Sequence, residues 1–371
     1  MKIGIITFHA SFNYGSMLQA YALHKVLSDM EHDVEIINFR STQQREMYHH
    51  PINLNSPEWS KFHMLIHYII HIKEYIPQIK KWNRYNSFLE NYLVHTKEFH
   101  SLEELYSYNF QYDFLFIGSD QIWNTNCRDF SEAYWGNFCN DKTKKIAYAP
   151  SMGRNPESLD SNYIKEQIKN FQVISVREER TKKILIDNHI SSEVFITLDP
   201  TLLLNVSDYD VFAGETPLIK GDYIYFYDPF IRPKYLQTAL YLGEKIGLKI
   251  VVDRIYPKRF YEKNKNVLIY TKTGPKEFLN LIKYAKYIIG HSLHAVLFSI
   301  LYKKDFYALD GDTDSRMHNI LELLGLNNRA INIDNPHIHE ALSINYWDSV
   351  YENYISLKKY SLGLIKESLL R

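Results

Sequence analysis

Two histidines three residues apart, His291 and His294 in IIGHSLHAVLFSILYKK (288–304), are equipped for proton chemistry. An imidazole titrates near pH 6.5, so it can give or take a proton at neutral pH. The helical zinc pattern HExxH sets its histidines four apart around a glutamate, which this spacing lacks, and no metal site is expected. The alternative is packing: one core histidine and one loop histidine.

Three other short stretches carry suitable groups. In GSDQIWN (118–124), Asp120 could accept a proton from a substrate hydroxyl and Trp123 could offer a stacking face; a plain turn is the alternative. In SVREER (175–180), Arg177 could hold a carboxylate or phosphate through two parallel hydrogen bonds, or pair at the surface with Glu178 or Glu179. In HASFNYGS (9–16), Gly15 permits backbone angles that other residues resist and Ser16 could cap a helix. Asn13 and Ser16 would then be polar groups directed into a cleft, beside N–H groups that attract anions. With no GxGxxG or P-loop present, a capped turn explains that stretch equally well.

These groups need elements to place them. KIGIITF (2–8), the helical period of SMLQAYALHKVLSDM (16–30) and DVEIINF (33–39) make a βαβ unit, which demands a parallel strand pair and a right-handed crossover. Residues 61–107 read as mostly helical, broken at Pro77, and strands return at 112–118, 145–150, 172–176 and 193–198, with helices near 156–170 and 178–187. The stretch 198–217 holds Asp199, Pro200, Gly214 and Pro217 without a sustained period, and marks a domain boundary. Beyond it, strands at 223–227, 248–253, 267–270, 287–290 and 305–309 alternate with helices near 233–246, 275–285, 293–303 and 315–325, before a last helix over 344–370. The expected fold class is α/β: two Rossmann-like domains facing a cleft, with a helical insertion in the first. The expected divisions are 1–205, 206–345, and a C-terminal helix at 346–371 packing back on the first domain. Ligands of such sheets bind outside the carboxyl ends of the strands, where each of these stretches falls.

The bulk composition narrows the function classes. A chain of 371 residues is long enough for two cores, and 43 basic against 43 acidic residues leave no net field to draw it onto nucleic acid. Cys127 and Cys139 match neither a CxxC motif nor a bridged framework, so reduced thiols in the cytoplasm are expected. The N-terminal apolar run leads into a polar turn rather than a cleavage site, so no secretion is expected. The apolar stretch 64–76 is broken by His67, His71, Lys73 and Glu74, short of the roughly 20 residues a membrane span needs. Thirty Tyr and twenty Phe would suit sugar-binding clefts, although compositional habit is the plainer account.

Taken in order, these stretches resemble the polysaccharide pyruvyl transferase family. The resemblance rests on GIITFHASFNYGSMLQAYAL (4–23), YDFLFIGSDQIWN (112–124), KIAYAPSMG (145–153), SVRE (175–178), LDPTLLL (198–204), GPKEFLNLIKYAKYIIGHSLHAVLFSILYKKDFYAL (274–309) and SRMHNILELLGLNNR (315–329). It implies a two-domain protein of the glycosyltransferase-B type, the first domain serving the acceptor and the second the donor. Its reaction would move the enolpyruvyl group of phosphoenolpyruvate onto two hydroxyls of a sugar, leaving a cyclic ketal and phosphate. No tightly bound cofactor is implied. Such a reaction needs cations for the donor's carboxylate and phosphate, and an acid and a base.

The family's loop normally reads Asp-Ser-Phe-His-Gly, which sets His294 on its histidine, as candidate acid or donor contact, with Asp120 as its catalytic companion. Arg177 falls on the arginine of the family's Val-Arg-Glu segment. Arg177, Ser292, Lys303 and Lys304 are the implied donor contacts, while Asn13, Gly15 and Ser16 face the cleft from the first domain. His291, Leu293 and Ala295 replace the motif's Asp, Phe and Gly. These departures keep two alternatives open: a glycosyltransferase using a nucleotide sugar, and a non-catalytic glycan-binding member. A lipid-linked acceptor would bring the chain to a membrane surface without a span.

Overall fold

The structure is a computed structural model that describes residues 1–53, 60–153, 160–262, 266–334 and 343–371. Its first sheet holds β1 (Lys2–Ile6), β2 (Asp33–Ile36), β3 (Phe114–Ile117), β4 (Lys144–Ala147), β5 (Phe171–Val176) and β6 (Phe195–Ile196). Its second holds β7 (Tyr223–Tyr227), β8 (Lys249–Val252), β9 (Val267–Ile269), β10 (Tyr287–Gly290), β11 (Asp305–Leu309) and β12 (Ala330–Ile331). The orders are β2-β1-β3-β4-β5-β6 and β12-β11-β10-β7-β8-β9, with parallel pairing throughout. These are two Rossmann-like units across a cleft, the GT-B arrangement.

Parallel strands covered on both faces need apolar side chains at every position, which explains why β3 (FLFI) and β7 (YIYFY) are continuous buried runs. Alternation still sorts them. Tyr223, Tyr225 and Tyr227 face one apolar cluster, while Ile224 and Phe226 face another. The first of these clusters also takes in Ile3, Ile5 and Phe116 of the first sheet, Tyr14 and Leu18 of the helix Tyr14–Ser28, and Phe278 and Phe298 of the second domain. One apolar core therefore runs from sheet to sheet beneath the cleft and fixes the facing loops.

Among the described residues, four helices fill the connection between β2 and β3. The expected break at Pro77 falls instead at His71, between the helices Lys61–Ile70 and Ile72–Tyr92, and Pro77 lies inside the second. There it forgoes a single backbone hydrogen bond early in a long helix, which twenty other residues sustain. That helix also packs on the second domain, where Arg84 Nε lies 3.2 Å from Glu277 Oε1. The helix expected from 156 begins at Ser161; residues 156–159 lie outside the described residues. The two-residue β12 was not anticipated, being too short for a periodic signal.

The last helix, Trp347–Leu370, straddles both units. Tyr354 donates to the Leu202 carbonyl (2.8 Å) and Leu198 N–H donates to Ser361 Oγ (3.0 Å), while Tyr351 donates to the Leu301 carbonyl (2.7 Å). Among the described residues no helix is long and apolar enough to cross a membrane.

Candidate active site at the carboxyl ends of both sheets

Each sheet reverses its strand order once, between β1 and β3 and between β7 and β10. Loops leaving neighbouring strands in opposite directions open a crevice there, where ligands of open α/β sheets settle. Asn13, Gly15 and Ser16 follow β1, Asp120 follows β3, and His291, Ser292 and His294 follow β10. Both reversals thus carry candidate residues.

The centre is a buried chain of charges. Arg177, just after β5, donates from Nη1 to Asp199 Oδ2 at 2.8 Å, and His294 Nε2 lies 3.5 Å from the same oxygen. Asp199 also accepts from the Thr201 N–H (3.0 Å) and the Thr201 hydroxyl (2.7 Å). Burial alone would raise the pKa of Asp199, but His294, Arg177 and these hydrogen bonds outweigh it and hold the carboxyl well below the usual range. A carboxylate that stays ionised is the partner an imidazolium requires. Arg177 is buried rather than at the surface, and its other edge meets Asp120 (3.7 Å) and Glu178 (3.8 Å) without hydrogen bonds. Burial pushes the Glu178 carboxyl up, against the pull of Arg177 and Thr181.

The roles expected in the first loop are redistributed. Asn13, not Ser16, caps the helix, its side chain accepting from the Gly15 N–H at 2.9 Å. Ser16 donates to Asp120 Oδ2 at 2.6 Å and so ties the loops after β1 and β3 together. Gly15 is helical, and the reason for glycine is space rather than a special backbone angle: a Cβ there would lie 1.9 Å from His294 Nδ1. The imidazole thus has one edge against the first domain's helix and the other toward Asp199. Asp120 itself takes a left-handed backbone angle, φ +73°, and is buried.

His291 is separate. Its Nδ1 must be the donor to the Leu309 carbonyl (2.8 Å), since a carbonyl only accepts, and Nε2 lies 3.9 Å from Asp314 Oδ2. It lines an open cleft of about 390 Å³ with Asn124, Phe230, Arg232, Asp314 and Arg316. Arg316 grips Asp314 through Nε (3.0 Å) and Nη2 (2.7 Å), and Arg232 grips Asp228 likewise (3.1 and 2.6 Å). Their described bonds leave Nη1 of each arginine over for a ligand.

Ser292, between the two histidines, is the backbone cap of the helix Leu293–Leu301 and makes no side-chain cap bond. Other expected residues do not reach this place. Lys303 and Lys304 follow the far end of that helix, at the amino end of β11, with Lys303 Nζ 3.9 Å from the centroid of the Tyr351 ring. The helix between them and His294 carries them away from the cleft. Trp123 is fully buried against Trp135, ring centroids 5.4 Å apart, and offers no free face. In sequence Asp199 stands at the boundary turn and within LDPTLLL, and Arg316 within SRMHNILELLGLNNR, with no role that local pattern assigns them; Arg232 and Asp314 carry no such signal.

Cys127 and Cys139 are both free thiols, and burial pushes their pKa values up to about 11 and about 12, so neither is an activated nucleophile. Among the described residues no three His, Cys, Asp or Glu side chains are grouped to hold a metal ion.

Among solved structures, the chain is similar to UDP-GlcNAc 2-epimerase from Neisseria meningitidis bound to UDP-GlcNAc, at 12% identity and TM-score 0.47, covering 100% of both chains. An E. coli heptosyltransferase with ADP-2-deoxy-2-fluoro heptose aligns at 12% identity and TM-score 0.43 over 96% of this chain and 99% of that one. The glycosyltransferase SnogD from Streptomyces nogalater aligns at 9% identity and TM-score 0.45 over 99% of each. No curated protein matches. The model of the family described as polysaccharide pyruvyl transferase matches residues 13–313, from the Asn13 cap through both histidines to the loop before Arg316, and the chain belongs to that family.

Proposed function

We propose that the protein transfers the enolpyruvyl group of phosphoenolpyruvate onto two hydroxyls of a sugar in a cell-surface polysaccharide or its precursor, forming a pyruvate ketal. The supporting observation is the buried Arg177, Asp199 and His294 chain, whose arginine and histidine fall where the sequence resemblance sets the family's motif residues, inside the matched range 13–313. In this reading His294, its charge balanced by Asp199, gives a proton to the donor's methylene carbon, which becomes a methyl. A sugar hydroxyl adds to the neighbouring carbon, and Asp120 takes its proton. The second hydroxyl then displaces phosphate from that carbon, closing the ketal, and its proton leaves with the phosphate. Arg232 and Arg316 in the open cleft, with Arg177 in the buried chain, supply the cations for the donor's carboxylate and phosphate.

The direct test is ligand stabilisation. A ligand present at about a hundred times its Kd stabilises the folded state by about 2.7 kcal/mol. Phosphoenolpyruvate is expected to raise the melting temperature, and nucleoside diphosphates to leave it unchanged. The opposite pattern would replace this donor with a nucleotide sugar.

Gly15→Ala tests the placement of His294. By helix propensity alone, alanine would stabilise the helix by about 1 kcal/mol. Because its Cβ would overlap the imidazole, the expected result is instead a fall in kcat of about a hundredfold with no gain in melting temperature. A fully active, more stable variant would show that His294 need not sit there.

A further inference from the structure

One residue before Gly15, a second group of polar side chains is left unused by the reaction described above. Tyr14 donates to Asp253 Oδ2 at 2.7 Å and stacks on Tyr85, ring centroids 5.5 Å apart. Two cations flank the Tyr14 ring: Lys81 Nζ lies 6.0 Å and Arg254 Cζ 5.8 Å from its centroid. Lys81 and Tyr85 stand four residues apart on one face of the helix Ile72–Tyr92, whereas Asp253 and Arg254 follow β8. The insertion of the first domain and the second sheet therefore build this place together.

Its charges do not balance. Asp253 is the carboxylate facing both cations, and its Oδ2 is already engaged by Tyr14 and by Tyr225 (3.1 Å). Among the described residues neither Lys81 nor Arg254 makes an ion pair, in contrast to Arg84 one turn along, which pairs with Glu277. Arg254 Nε, Asp253 Oδ1 and the Tyr85 and Tyr227 hydroxyls are buried without a well-formed hydrogen bond, the Tyr227 hydroxyl lying beside Arg254. Burial pulls the Lys81 ammonium down to about 8, so holding its charge here is costly. Lys81 and Arg254 are partly buried and share one carboxylate between them, an excess of positive charge that an anion would complete. Two cations against one carboxylate leave a net positive charge, and the unused guanidinium and O–H donors suit the several acceptor oxygens of a phosphate.

We propose that Lys81 and Arg254, with Tyr85 and Tyr227, form a phosphate-binding site separate from the Arg177 centre, which holds the phosphate or diphosphate of a phosphorylated saccharide acceptor. This rests on the transferase reading for the identity of the ligand, though not for the existence of the site. Tyr14 and Gly15 adjoin in the chain, so a sugar anchored here by its phosphate would present its hydroxyls beside His294.

The test uses the full-length protein and calorimetric titration with inorganic pyrophosphate and, separately, phosphoenolpyruvate. Lys81→Gln with Arg254→Gln is expected to weaken pyrophosphate binding about tenfold or more, leaving phosphoenolpyruvate affinity unchanged; Arg177→Gln is expected to do the reverse. Tyr85→Phe removes one hydroxyl from the same place with the ring kept, and is expected to weaken pyrophosphate alone, which guards against misfolding of the double variant. Pyrophosphate binding unaltered by all of these variants would overturn the site. An equal loss of both ligands in the double variant would overturn the acceptor assignment and give the site to the donor. Pyrophosphate binding that depends on Lys81 and Arg254, in a protein that ignores phosphoenolpyruvate, would sustain the site and overturn the transferase reading.

Discussion

Replacing Arg177 with Ala is expected to destabilise the protein by about 3–5 kcal/mol, because it breaks a buried pair and leaves its carboxylates without their cation. Arg177 is 5% exposed and Asp199 2%, so water screens little of what remains. The acid dependence carries the diagnostic sign. The folded-state pKa of Asp199 lies below its unfolded value near 3.8, so its pairing adds stability above that pH, lost as pH falls through the folded value. The deficit of Arg177→Ala should therefore be full at pH 6–7 and shrink below about pH 4, read as unfolding free energies in urea. A deficit below 1 kcal/mol at neutral pH, or one that grows on acidification, would show that the pair is not holding this site.

The first sheet and the second were legible because strands buried on both faces must be apolar throughout: FLFI at 114–117 and YIYFY at 223–227 admit few other readings. What was not legible depends on contacts between residues distant in sequence. Gly15 looked like a turn glycine, yet its reason is an imidazole in the other domain. Asp199 looked like a boundary turn, and only the approach of β5 and of the loop after β10 makes it the hub between Arg177 and His294. Lys303 and Lys304 share a stretch with His294, but the intervening helix Leu293–Leu301 turns nearness in sequence into separation in space, at about 1.5 Å per residue. Local pattern located the loops; the division of labour within them is a property of the packed pair of domains.

The largest effect on turnover is expected from His294→Gln. An acid or base positioned for proton transfer contributes about 10²–10⁴-fold, so ketal formation should fall by that factor while phosphoenolpyruvate binding changes little. Folding should survive, since Asp199 keeps Arg177 and Thr201 as partners and glutamine keeps a polar group of similar reach. Asp199 acts through the imidazole, which makes it a positioning residue with a separable signature. Asp199→Asn keeps the shape of the side chain but removes the charge, and should lower kcat with little change in KM. Combined with His294→Gln it should add almost nothing further, because two residues that serve one proton transfer are not additive. An undiminished rate in His294→Gln would remove this histidine from the chemistry. Full additivity in the double variant would instead separate Asp199 from it, leaving the carboxylate as the counter-ion of Arg177 alone.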